Sequence, residues 1–109
     1  MSSSKEYLSY ILEQLSELNE ISYRPMMGEF LLYYKGKIIG GIYDDRFLVK
    51  PTKSAKILMP DAALELPYEG GKEMLLVDDP DDRKHLKQLF TTMFMELPEP
   101  KKKARNKNK

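Results

Sequence analysis

No cysteine occurs anywhere in the chain, which excludes disulfides, thiolate metal sites and cysteine nucleophiles together. The only histidine is His85, too little for the multi-ligand centre that zinc chemistry needs. As a general base it would require a nucleophile and an orienting group within reach, and no such set is visible. Its place one turn after Asp81 reads instead as a surface position. No segment approaches the ~18 uninterrupted apolar residues of a membrane-spanning helix. Met1-Ser2-Ser3-Ser4-Lys5-Glu6 also lacks the apolar stretch of a signal peptide. The expectation is a cytoplasmic protein without membrane contact.

Two short motifs fall away on inspection. Gly70-Gly71-Lys72 lacks the upstream glycine and the following Ser/Thr of a phosphate-binding loop, and reads as a plain loop. Asp78, Asp79, Asp81 and Asp82 cluster carboxylates as a cation site would, but without the spacing of a calcium loop. Their simpler role is to cap and charge-match a helix N-terminus. No cofactor, metal ligand or catalytic residue is expected, and the protein reads as non-enzymatic.

What the chain does hold is enough apolar material for one core. Its 109 residues, 41% hydrophobic and 32% charged, suit a single domain. The net charge of +1 hides an asymmetry: residues 98–109 carry six basic side chains and one acid, leaving residues 1–97 with 12 basic and 16 acidic ones, a net of −4. The expected organisation is a folded domain over 1–97 and a disordered basic tail over 98–109. Lys101, Lys102, Lys103, Arg105, Lys107 and Lys109 are the tail's polyanion contacts, without aromatics to stack on bases. Any contact with nucleic acid is therefore expected to be non-specific.

Hydrophobic periodicity places a helix over 3–20, with Leu8, Ile11, Leu12, Leu15 and Leu18 on one stripe and a Ser3/Glu6 capping box. A strand over 22–27 is restricted by Pro25 to an edge or a bulge. Glu29–Tyr34, the Lys35-Gly36 turn and the Lys37-Ile38-Ile39 run make a hairpin. Asp44-Asp45 is a second turn before a strand over 46–50, and Gly40-Gly41 marks a bulge or a close backbone approach. A helical turn capped by Ser54 is expected over 54–58, a short element over 61–66 and a strand over 74–77. The last helix has Asp79 as its cap and Pro80 in its first turn. It buries Leu86, Leu89, Phe90, Met93 and Leu97 and leaves Met95 outside. The resulting fold class is α+β: a two-layer sandwich in which an antiparallel meander sheet carries the N-terminal and C-terminal helices on one face.

Phe30, Leu32 and Tyr34 face one way while Leu31 and Tyr33 face the other, and Met74–Val77 repeats this two-sided apolarity. Antiparallel sheets commonly leave one face to water, so something must cover the second face. A homodimer is the simplest cover.

Arg24-Pro25-Met26-Met27-Gly28-Glu29, Tyr33-Tyr34-Lys35-Gly36-Lys37 and Phe47-Leu48-Val49-Lys50, in that order and spacing, resemble the N-terminal domain of the TfoX/Sxy family. Arg24, Met26, Gly28, Tyr34, Gly36 and Lys50 match its pattern, and Pro67-Tyr68 with Met74-Leu75-Leu76 resembles its later strand. Met27 stands where the family has phenylalanine, and Glu29 replaces its second glycine. The resemblance covers roughly residues 5–97 and implies a stand-alone member, without the second helical domain of the competence-gene regulators. It implies an interaction or regulatory module with a protein partner in transcription. The alternative is a binder of small ligands or of nucleic acid, using Arg24, Lys50 and Tyr68 at the sheet rim together with the tail. A concave pocket at those three residues favours the binder, and a flat surface favours the interaction module.

Overall fold

Three two-residue turns shape the first half of the chain. Met27 and Gly28, Lys35 and Gly36, and Asp44 and Asp45 all adopt positive φ, the condition for tight turns whose twist matches antiparallel strands. In the computed structural model, which describes residues 4–98, these turns connect β1 (Ile21–Met26), β2 (Glu29–Tyr34), β3 (Lys37–Ile42) and β4 (Phe47–Val49). Met26 pairs with Glu29 and Tyr34 with Lys37. Tyr43 and Arg46 exchange both backbone hydrogen bonds, at 2.9 and 3.0 Å. The aspartate pair has no glycine to relieve it, but aspartate tolerates this conformation better than most residues. The Asp44 N–H donates to Glu29 Oε1 at 3.0 Å, and Asp45 Oδ1 accepts from the Ser4 N–H at 2.8 Å.

After β4 the chain crosses over. It forms α2 (Lys53–Leu58) and β5 (Leu64–Glu65), then returns as β6 (Met74–Leu76) beside β4. The six-stranded sheet has the order β1-β2-β3-β4-β6-β5, antiparallel throughout. The meander thus covers four strands, and β5 extends the sheet beyond β6. Pro25 lies on the edge strand β1, where its missing donor interrupts no ladder.

The helices share one face. Leu8, Ile11 and Leu15 from α1 (Lys5–Gln14) and its C-terminal cap join Ala55 of α2 in the main core. Leu86, Leu89, Phe90 and Met93 of α3 (Arg83–Phe94) complete the helical side, with Leu97 just beyond. Opposite them stand Phe30, Leu32, Tyr34, Ile39, Ile42, Phe47, Val49, Leu75 and Val77. Met95 is 81% exposed, as its place off the stripe implies.

Helix ends depart from the sequence expectations. Helix α1 stops at Gln14 instead of residue 20, and Leu18 reaches the core from the turn that follows. Its cap is Ser4, whose Oγ accepts from the Tyr7 N–H at 3.1 Å; Ser3 lies outside the described residues. Thr52, not Ser54, caps α2, because Ser54 is engaged elsewhere: its N–H and Oγ both donate to the Glu96 carboxylate, at 3.0 and 2.5 Å. Asp82, not Asp79, caps α3 by accepting from the His85 N–H. Asp79 and Pro80 belong to a preceding turn, in which the Asp82 N–H reaches the Asp79 carbonyl.

The Gly40-Gly41 pair sits at an irregularity. Tyr33 pairs with Ile38 but Leu32 pairs with Gly40, so Ile39 is an extra residue in β3, a β-bulge. A Cβ on Gly40 would lie 2.2 Å from the Leu48 carbonyl oxygen, so only glycine admits β4 this close.

Candidate functional site

Residues paired across antiparallel strands point to the same side of a sheet. Arg24 with Leu31, Leu31 with Gly41, Gly41 with Leu48 and Leu48 with Leu76 therefore trace the outer face, away from the helices. This face has its own small core of Tyr43, Leu48 and Met74, with Leu31 and Leu76 packed against it. A Cβ on Gly41 would sit 2.7 Å from the Tyr43 ring. The missing side chain is what lets that ring lie back along the sheet.

Part of the cover for this face comes from the chain itself. The segment over 66–73, between β5 and β6, folds across it as a flap. Pro67 is buried, and the Tyr68 ring stands 6.0 Å from the Tyr43 ring at 57°. Gly70 at φ +87 and the Gly71 N–H, which donates to the Tyr68 carbonyl at 3.0 Å, close the flap's turn. Arg46 anchors it. Its Nε donates to the Tyr43 carbonyl at 3.1 Å, its Nη1 meets Glu65 Oε1 at 2.8 Å and its Nη2 reaches the Pro67 carbonyl at 3.3 Å.

Between flap and sheet lies an open cleft of about 600 Å³, within the roughly 300–1,000 Å³ usual for small-molecule sites. Leu31, Ile38, Tyr43, Met74 and the Gly40 backbone form its apolar surface, with Pro51 and Pro67 beside them. Lys50, Lys72 and Glu73 are its charged members. Lys50 continues the alternation of β4 outward from Leu48 and is half-buried; Lys72 is exposed. Among the described residues, no ion pair or side-chain hydrogen bond engages either lysine. Burial is the main cause that pushes the Tyr43 phenol above its ordinary range, and the neighbouring Tyr68, Glu29 and Tyr33 add to it. The phenol is therefore a neutral hydrogen-bonding group at neutral pH and unsuited to act as a base.

Lys50 and Tyr68 thus come together in this cleft, while Arg24 does not line it. Arg24 is on β1, paired with Leu31, and its guanidinium lies 6.0 Å from the centre of the Tyr33 ring. The six basic tail residues lie outside the described residues. Ile38, Tyr43 and Glu73 line the cleft without any site role in the sequence expectations, and Lys72 comes from the Gly70-Gly71-Lys72 segment expected to be a plain loop. Tyr43 had one usable signal, its place two residues after Gly41 on the same face; Arg46 had none, because its partners lie 19 and 21 residues away.

His85 differs from its expected surface role. It is half-buried, and its Nε2 lies 3.1 Å from the Leu58 carbonyl, one of the free acceptors at the end of α2. Among the described residues no cluster of three or more His, Asp or Glu side chains is arranged to hold a metal ion, and no helix is long and apolar enough to cross a membrane.

The chain matches no family model and no solved structure. It is similar to a curated protein of Spirochaeta aurantia, described as "Uncharacterized 12.7 kDa protein in trpE 5'region". The two are 28% identical over 109 residues, which covers 98% of this chain and 95% of the relative. The likeness therefore spans the sheet, the flap and all three helices.

Proposed function

We propose that the protein is a non-catalytic binding module whose recognition site is the cleft on the outer face of the sheet. The observation that carries this reading is the concavity itself: an apolar cleft of about 600 Å³ that brings Lys50 and Tyr68 to one place. Binding sites of this kind combine an apolar lining with a few polar groups that fix orientation. Arg46 holds the flap through the chain's own groups, Glu65 and the Tyr43 and Pro67 carbonyls, so little ordering opposes binding.

The reading is tested by equilibrium dialysis of the full chain against a small-molecule extract, alongside the variant Ile38→Trp, which intrudes into the cleft. Retention of a compound by the wild type and its loss in the folded variant supports the reading. Equal retention by both removes it.

A second reading has its own support. Leu64 and Leu66 are exposed apolar side chains on and just after β5, the open edge strand, a combination that suits contact with another chain. With the resemblance to TfoX/Sxy N-terminal domains, it favours a cytoplasmic, homodimeric interaction module acting with a protein partner in transcription. Sedimentation equilibrium at micromolar concentration tests the dimer. A mass of 12.7 kDa at every concentration counts against it.

A further inference from the structure

We infer that the ligand of the outer-face cleft is a small amphipathic anion: a flat apolar body bearing one carboxylate or phosphate-type group. This rests on the binding-module reading and specifies its ligand.

The charge of the cleft carries the argument. Residues 1–97 have a net charge of −4, yet the cleft holds two lysines against one acid, Glu73. Neither Lys50 nor Lys72 is engaged by a described side chain. A neutral ligand filling the cleft would take water from the half-buried Lys50 ammonium and offer nothing in return, which opposes binding. An anionic group replaces that water with charge-assisted hydrogen bonds.

The shape of the cleft supplies the rest. Inorganic anions gain nothing from Leu31, Ile38 and Met74, whereas an apolar body buries its surface against them. Tyr68, 53% exposed, offers a ring face from the flap, and aromatic pairs favour offset or edge contacts with a flat partner. The positive side and the flat apolar side together select an amphipathic anion over either half alone.

The test is a set of ¹H–¹⁵N NMR titrations of the full chain with 2-naphthoate, 2-naphthyl phosphate, neutral 2-naphthylmethanol and inorganic phosphate. The expected result is that a naphthyl anion shifts the amides of Ile38, Tyr43, Tyr68, Gly70 and Gly71 and binds roughly tenfold more tightly than the alcohol, as two partly exposed charge contacts would give. Comparing the carboxylate with the phosphate sorts the two head groups. Lys50→Gln with Lys72→Gln is expected to bring the anions down to about the alcohol's affinity, while the alcohol binds at least as tightly as before. Equal binding of alcohol and anions at these amides overturns the anion inference while the cleft stands as a binding site. Inorganic phosphate as tight as the naphthyl anions overturns it as well. Shifts confined to other parts of the protein overturn both the inference and the binding-module reading.

Discussion

Arg46 Nη1 and Glu65 Oε1 stand 2.8 Å apart, and with the bond from Nη2 to the Pro67 carbonyl this contact ties the flap to the β3–β4 hairpin. The two side chains are each about a third exposed, so the ion pair itself contributes little to global stability. Its effect is local: it determines how often the flap lifts from Tyr43. Arg46→Ala is therefore expected to raise amide hydrogen exchange across 66–73 about tenfold, by the cost of local opening. The thermal midpoint should fall by only a few degrees. Unchanged exchange in the flap would show that Arg46 does not hold it.

A second long-range tie closes the other side of the molecule. Lys37 is buried, and its Nζ donates to the Phe94 carbonyl at 3.1 Å and lies 4.1 Å from the centre of the Phe94 ring. A cation at the C-terminal end of α3 also suits the helix dipole. Lys37→Met is expected to destabilise the fold by about 1–3 kcal/mol, read from urea denaturation. Wild-type stability in that variant would mean that packing alone holds this end of α3.

The Glu96 carboxylate lies below its ordinary range, chiefly because the Ser54 hydroxyl donates to it. The Ser54 N–H adds to this, while burial opposes it and Thr52 and Lys53 assist more weakly. A carboxyl with a depressed folded pKa contributes stability that is present above its unfolded value, near 4.5, and is lost as pH falls through the folded one. Glu96→Gln should therefore flatten the fall in stability below about pH 4.5. Parallel pH–stability curves for the variant and the wild type would refute this coupling.

Leu89→Ala should cost roughly 2–5 kcal/mol, since Leu89 is fully buried at the centre of the α3 stripe. Lys87→Ala, exposed on the same helix, should change stability by less than about 0.5 kcal/mol. Equal denaturation midpoints would mean that the buried face of α3 is misplaced.

These residues also show which features a sequence displays. The α3 stripe was legible because burial along a helix repeats every three or four residues, and Leu86, Leu89, Phe90 and Met93 obey that period. The Lys35-Gly36 and Asp44-Asp45 turns were legible because Gly36 and the two aspartates suit positive φ. The caps were harder. Four nearby aspartates compete for the start of α3, and the choice of Asp82 over Asp79 follows from a turn at Pro80 that local spacing does not reveal. The end of α1 was overrun because Leu18 keeps the apolar period while reaching the core from a turn.

The cleft was legible only in part. The two-sided apolarity of Phe30–Tyr34 announced a face that needs cover, but the flap over 66–73 comes from a segment broken by Pro67, Gly70 and Gly71, where no period survives. Lys50 and Tyr68, expected at the sheet rim, both line the cleft. Arg24, expected with them, is on β1 with two strands between it and β4, beyond the cleft's lining.

The central claim, that the outer cleft is the binding site, is tested most directly by ¹⁹F NMR of the chain labelled with 3-fluorotyrosine at its seven tyrosines. Tyr43 and Tyr68 line the cleft, while Tyr10 and Tyr23 are exposed and lie outside its lining. Titration with a set of small aromatic and aliphatic carboxylates is predicted to move the Tyr43 and Tyr68 resonances, saturably and together, and to leave those of Tyr10 and Tyr23 in place. Saturable shifts at Tyr10 or Tyr23 with Tyr43 and Tyr68 unmoved would contradict the account.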